Sequence, residues 1–391
     1  MAKTAEALIN PEVLTWARET VGFSEDDLAA KLKVNAETVQ AWENGSKRPS
    51  IAKLKQIANT LKRPMAVFYL PSKPEDLRPP KDFRGLVPGH AGAFSRQLSV
   101  ELRLAEARRE DALALLEELE EEPNAFEFAA TLDENPEAVA GRLTQYLGID
   151  QVVIDRCDNI YDARRTWKTA IEDRGVLVFQ STNVDTSEMR GFSFSLAPLP
   201  IAVVNGKDAP AGQIFSLLHE LSHIALNQGG ICDFDEELPR DPNSQRIEVF
   251  CNHVAGAALV PAEQLVQHEI VQANRGETEW GDEQLGDLAT HFRCSQEVVV
   301  RRLLINNLTT PAFYAAKRAE FLQRYKALAQ ERQEQSIPVP YFRKVLNRNG
   351  YYFSRLAVDS YKREAITGPE LSRLLNMKLM HLDNISQALG V

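Results

Sequence analysis

Residues 215–226 read FSLLHELSHIAL, and this short stretch constrains the fold more than any other in the chain. The pattern H-E-x-x-H sets His219 and His223 four positions apart, one turn apart on a single helical face, with Glu220 beside the first. Phe215, Leu218, Leu221, Ile224 and Leu226 around them are apolar, so the helix is expected inside a core. Imidazole and carboxylate groups buried there are tolerated only when paired or ligated. The fold must therefore bring a second element across this helix to complete the site.

Two imidazoles on one face reach a single metal ion, and a glutamate at the second position of the motif lies beside the ion and not on it. Zinc lowers the pKa of its water from 15.7 to about 7, so Glu220 can take a proton at neutral pH and hand it to a leaving amine. A catalytic zinc keeps three protein ligands and one open place. The third ligand is expected downstream, and Glu248 is the best candidate. It lies 25 residues after His223 on a stretch, EVFCNHVAGAAL, that reads as a helix, with Asn252 one turn further on the same face. His253 and His268 are rivals, since imidazole is the commonest metal ligand. The metzincin pattern is absent, because His223 is followed by IALNQGG. The expectation is one zinc per chain on His219, His223 and Glu248, with Glu220 as the catalytic base.

The chain's 391 residues suffice for two or three domains. No apolar run approaches the roughly 18 to 20 residues of a membrane span, and the start lacks a signal-peptide pattern, so the reading is a cytoplasmic protein with no membrane partner. Cys157, Cys232, Cys251 and Cys294 show no C-x-x-C spacing, which points to reduced thiols and away from a thiolate zinc site. Apolar spacing and capping signals over 10–70 predict about five short helices, with Ser24 and Asn35 as N-caps and Gly45 as a stop. PSKPEDLRPPKDFRGLVPGH after residue 70 excludes a regular helix. Helices are expected at 95–121 and about 134–147, then strands at 175–180, 191–196 and 200–205. Helices at about 211–226 and 245–258 flank a loop rich in Gly, Asp and Pro. Residues 282–307 hold two helices with Ser295 as an N-cap, 311–334 a charged helix, and ITGPELSRLLNM a further helix-turn-helix-like piece.

The strand pattern G-V-L-V, G-F-S, I-A-V-V-N leading into FSLLHELSHIAL, and then IEVFCNHVAGAALVP, resembles the ImmA/IrrE family of metallopeptidases. That family carries E-x-x-A-N-x-F-A…L-L-x-P around its third ligand, and Glu248, Asn252, Ala255 and Pro261 match it. Cys251 stands where the family has Ala, Val254 where it has Phe, and Val260 where it has Met. The resemblance implies a gluzincin-like peptidase acting on transcriptional repressors. The expected fold is multidomain and mostly α: a helix-turn-helix bundle at 1–70, a proline-rich linker and acidic helical spacer at 71–155, an α+β zincin-like core at 156–272, a helix-turn-helix-like region at 273–335, and a basic helical tail at 336–391.

With Ala29 at the close crossing, Val34 in the turn, Val39 and Trp42 in the core and then ENG, residues 24–45 resemble the helix-turn-helix of Xre-type repressors. In that fold the start of the second helix reads bases and the following loop holds phosphates. The matching positions are Ala36, Glu37, Thr38 and Ala41, and the loop is SKRPS with Lys47 and Arg48. The lysine and arginine suit phosphates, but alanine offers no hydrogen bond and glutamate accepts only from cytosine. Ten basic against eight acidic residues over 1–70 give a weak electrostatic footprint. Two roles stand side by side for this domain: weak or partner-assisted DNA binding, and recognition of a protein. Elsewhere, residues 71–150 hold nine Lys/Arg against seventeen Asp/Glu and residues 338–391 eight against four, which reads either as two regions facing different partners or as solvated helix faces.

Two functions follow. One is a zinc endopeptidase that cleaves a regulatory protein, with a repressor as the substrate implied by the resemblance. The other is a DNA-binding regulator or antitoxin-like protein whose zinc domain binds a partner without cutting it. Glu220 favours the first, since binding alone needs no base. A substrate peptide is expected along a strand such as IAVVN, with selectivity supplied by the flanking regions, including the basic Arg343, Lys344, Arg348 and Arg355 near DNA.

Overall fold

A computed structural model describes residues 6–61, 63–73, 95–227, 231–232, 242–334 and 339–391, and the chain divides into two compact units. Most of the proline-rich connection and most of the Gly/Asp/Pro loop lie outside the described residues. The first unit holds α1 (Pro11–Glu19), α2 (Glu25–Leu32), α3 (Ala36–Glu43), α4 (Ile51–Leu61) and a 3-10 turn at Met65–Tyr69. Its caps are those expected. The Ser24 hydroxyl accepts from the Asp27 N–H while Asp27 accepts from the Ser24 N–H, and Asn35 accepts from the Thr38 N–H. Both satisfy donors that a helix start leaves open. Val39 and Trp42 are buried with Leu14, Leu28, Leu54 and Ile57. Arg18 joins α1 to α3 by a fork onto Glu43 at 2.7 and 2.9 Å and spends its remaining nitrogen on the Phe23 carbonyl at 2.7 Å.

The second unit begins within α5 (Arg96–Glu118) and continues through α6 (Pro136–Leu147), α7 (Gln151–Asp155) and α8 (Ile160–Glu172). Then come β1 (Leu177–Ser181), β2 (Gly191–Phe194), β3 (Ile201–Asn205), α9 (Pro210–Ala225), β4 (Ile231–Cys232) and α10 (Pro242–Leu259). The short α11 (Ala262–Gln267) and α12 (Glu269–Ala273) precede α13 (Asp282–His291), α14 (Gln296–Ile305) and α15 (Pro311–Glu334). Helix α8 was not legible in the sequence. Its start is fixed by Asn159, whose side chain accepts from two backbone N–H groups, and its stripe Ala163, Trp167, Ile171 is buried.

The sheet order is β1-β3-β2-β4, with β1 parallel to β3 and the other pairs antiparallel. Every residue of β3 is buried, as a continuous apolar run in a central strand should be. This overturns the expectation that a peptide lies along IAVVN. Ile201 pairs with Leu177 on one side and Phe194 on the other, so the strand's main-chain groups are already used. Helix α9 lies on β2 and β3, and α10 packs against α9 and α6; β3 and the three helices share one apolar cluster.

Residues 339–391 form α16 (Tyr341–Asn349), α17 (Tyr351–Lys362), α18 (Gly368–Leu375) and α19 (Leu382–Leu389), packed on β1 and α8. Gly350 alone separates α16 from α17, at φ 79°. Two residues one turn apart on α8 clamp this break. Lys168 Nζ donates to the Asn347 carbonyl at 3.1 Å, and Glu172 accepts from the Tyr351 N–H at 3.0 Å. Each charge thus meets the helix end whose dipole it complements. Burial pushes the Lys168 ammonium down and the Glu172 carboxyl up, against their mutual attraction. The clamp also closes a strand edge. Leu177 and Ser181 bond toward the β3 side, so Val178 turns its carbonyl outward, and Gly350 lies against it.

The charge contrast has a different meaning from the one expected. Arg363 meets Glu121 at 2.7 Å and Arg373 meets Asp111 at 3.4 Å, so the acidic and basic regions face each other. Arg348 and Arg355 donate to carbonyls at the ends of α18 and α19, capping helix C-termini.

Candidate metal centre

Helix α9 presents His219 and His223 on one face, and α10 crosses it with Glu248. The two Nε2 atoms are 3.0 Å apart, and Glu248 places one oxygen 3.4 Å from His219 Nε2 and the other 3.5 Å from His223 Nε2. Donor atoms held about 2.0 to 2.1 Å from one tetrahedral centre stand about 3.3 Å apart. The residues present therefore fit a zinc-sized ion. Among the described residues this is the one group of three or more histidine, cysteine or acidic side chains able to hold a metal. His219 and Glu220 are 0% exposed, Glu248 1% and His223 2%, so the donors are shielded from competing water.

The same helix supplies the support. Cys251 and Asn252 follow Glu248 by three and four positions, on its face of α10. Asn252 lies beside His219, and the Cys251 sulfur lies beside His223. Burial lowers the His219 pKa, which favours the neutral, ligating ring. Burial alone would raise the Glu248 carboxyl, but hydrogen bonds and charge from His219 and His223 outweigh it and hold the group well below the usual carboxylate range.

Glu220 packs on the start of β2. A Cβ at Gly191 would fall 2.6 Å from its Oε1, so only glycine leaves room for this carboxylate. The glycine of the G-F-S pattern was visible in the sequence, but this reason for it was not, because the contact joins a strand to a helix through the fold.

The rival ligands lie elsewhere. His253 Nε2 is 2.7 Å from Glu137 Oε1 on α6, and His268 meets His291 edge-on with ring centres 4.7 Å apart. Arg302 also binds Glu137. Burial opposes ionisation of Glu137, yet the His253 and Arg302 hydrogen bonds hold it at about 2, against an ordinary value of 4.5. A carboxyl depressed in the folded state contributes stability that is complete above its unfolded value and fades as pH falls toward the folded one. Glu137→Gln should therefore flatten the acid limb of the unfolding free energy between about pH 4.5 and 2. Denaturant titrations across that range check it, and parallel acid limbs would remove Glu137 as a source.

In the first unit, Glu37, Lys47 and Arg48 are exposed, the last two in the turn after α3, while Thr38 is half-buried. The Thr38 hydroxyl is hydrogen-bonded to Asn35 at the helix cap, which leaves it poorly placed to read a base.

Residues 171–304 match the family of the IrrE N-terminal-like domain, peptidase family M78. Residues 14–68 match the helix-turn-helix family. A search of curated proteins finds no match. The peptidase match runs from the end of α8 into α14 and encloses His219, Glu220, His223 and Glu248. No described helix is long and apolar enough to cross a membrane. The chain thus carries a helix-turn-helix domain of the Xre, DNA-binding type together with a metallopeptidase-like domain of the IrrE/ImmA-like M78 family.

Proposed function

We propose that the chain is a zinc-dependent endopeptidase that cuts a regulatory protein, a helix-turn-helix repressor, with His219, His223 and Glu248 holding the metal. The observation that carries this reading is the meeting of three donors 3.0 to 3.5 Å apart, with an acid wedged beside them against Gly191. Zinc, when bound, acidifies a coordinated water to a pKa of about 7. Glu220 would then hold a proton on its carboxylate and pass it to the leaving amine nitrogen. Asn252 and Cys251 pack beside the imidazoles on the Glu248 face of α10. Glu37, Thr38, Lys47 and Arg48 belong to the domain that meets DNA, with Lys47 and Arg48 toward phosphates. This domain brings the enzyme to a repressor at its operator. The competing reading, a regulator that binds without cutting, gives Glu220 no task.

The zinc-loaded full chain incubated with a helix-turn-helix repressor should yield one discrete cut. His219→Ala, His223→Ala and Glu248→Ala should each lose most bound zinc, because a three-ligand site missing one loses most of its affinity. A Glu248→Ala chain with full zinc and full activity would remove Glu248 from the site.

A further inference from the structure

One cluster of charges grips α10 from a side that faces neither histidine. Arg302 on α14 is 0% exposed. Its Nη1 and Nη2 donate to the two oxygens of Glu137 at 2.6 and 2.9 Å, and its Nε donates to the Val260 carbonyl at 2.8 Å. The Glu137 oxygen that takes Nη1 also meets His253 at 2.7 Å. Between these anchors the arginine stem passes Gly256, where a Cβ would stand 3.4 Å from its Cδ. His253 and Gly256 lie on one stripe of α10, turned roughly a third of a turn from Glu248 at 100° per residue, and Val260 follows directly after the helix end.

Phe250, Val254 and Leu259 anchor α10 in the core, but the stretch Ala255, Gly256, Ala257, Ala258 is small, so it permits close approach and interlocks little, and apolar burial is non-directional. A planar guanidinium forked onto a carboxylate is directional in distance and plane. Glu248 has little tolerance, since rotating α10 by one residue would swing its carboxylate away from both imidazoles.

We propose that Arg302, acting through Glu137, His253 and the Val260 carbonyl, is a positioning residue of the metal centre. It fixes the rotation and axial position of α10 and so the seat of Glu248 against His219 and His223. This rests on the zinc reading above.

The test uses the full chain with Arg302→Met, which keeps a stem without the fork, Arg302→Lys, which keeps the charge alone, and Glu137→Gln. Zinc affinity is measured by chelator competition, ligand geometry by the visible absorption of the cobalt(II) form, and turnover on a peptide as kcat and KM separately. Arg302→Met should weaken zinc binding about tenfold or more, shift the cobalt bands, and lower kcat with little change in KM. Arg302→Lys should recover part of each. Glu137→Gln should move all three the same way by less, and it decides the matter if Arg302→Met does not fold. Wild-type zinc affinity and cobalt bands in the folded variants overturn the proposal. A parent chain that binds neither ion overturns the zinc reading instead, so the two failures are distinct.

Discussion

Glu220→Gln should lower kcat for peptide hydrolysis by about 100- to 10,000-fold, the usual worth of a general base, while zinc content and the unfolding midpoint stay at parental values. The amide has the shape of the carboxylate, so it fits the space left by Gly191, where any Cβ would lie 2.6 Å from the Glu220 oxygen. It can hydrogen-bond a water but cannot take its proton. Glu220 is not among the three donors that converge on one point, so the metal should remain. Metal analysis and turnover on one preparation check both halves. A glutamine variant as active as the parent would assign the proton transfer to another group, and one that loses zinc would make Glu220 a ligand.

Gly350→Ala should destabilise the second unit by on the order of 3 to 5 kcal/mol, the scale for disrupting a buried charge's pairing, with backbone strain added. The new Cβ would lie 2.4 Å from Glu172 Oε1 and 2.6 Å from the Val178 carbonyl oxygen, on a backbone at φ 79°. Neither neighbour yields easily. Glu172 is buried and holds the Tyr351 N–H, and Val178 is the backbone of β1. Gly148→Ala is the control. It too sits at positive φ, 68°, but nothing lies within 4 Å of its added Cβ, so strain alone, about 1 kcal/mol, is expected. Denaturant unfolding of both variants in the full chain separates steric collision from strain. Equal losses would show that the close fit at Gly350 contributes nothing.

What the sequence determined by itself is local. Ser24, Asn35 and Ser295 cap helices where their side chains suggested, because a cap involves residues two or three positions apart. The H-E-x-x-H spacing places two imidazoles together on α9 for the same reason, and the three strands lie where β-branched and aromatic runs put them. The choice among Glu248, His253 and His268 was weighed from spacing and resemblance. Geometry separates them because α10 can turn only one stripe toward α9, and His253 lies on the stripe that meets Glu137. The order β1-β3-β2-β4, which makes IAVVN a central strand closed to a peptide, was not legible. Strand order depends on which edges meet, and periodicity within a strand carries no record of that. The acidic and basic regions, each of which reads alone as a surface for a partner or for solvent, meet through Arg363 beside Glu121 and Arg373 beside Asp111. Arg302 and Glu137, 165 positions apart, show the limit most clearly. Each alone reads as an ordinary charge on a helix, and only the crossing of α6, α10 and α14 buries Arg302, half-covers Glu137 and obliges them to pair.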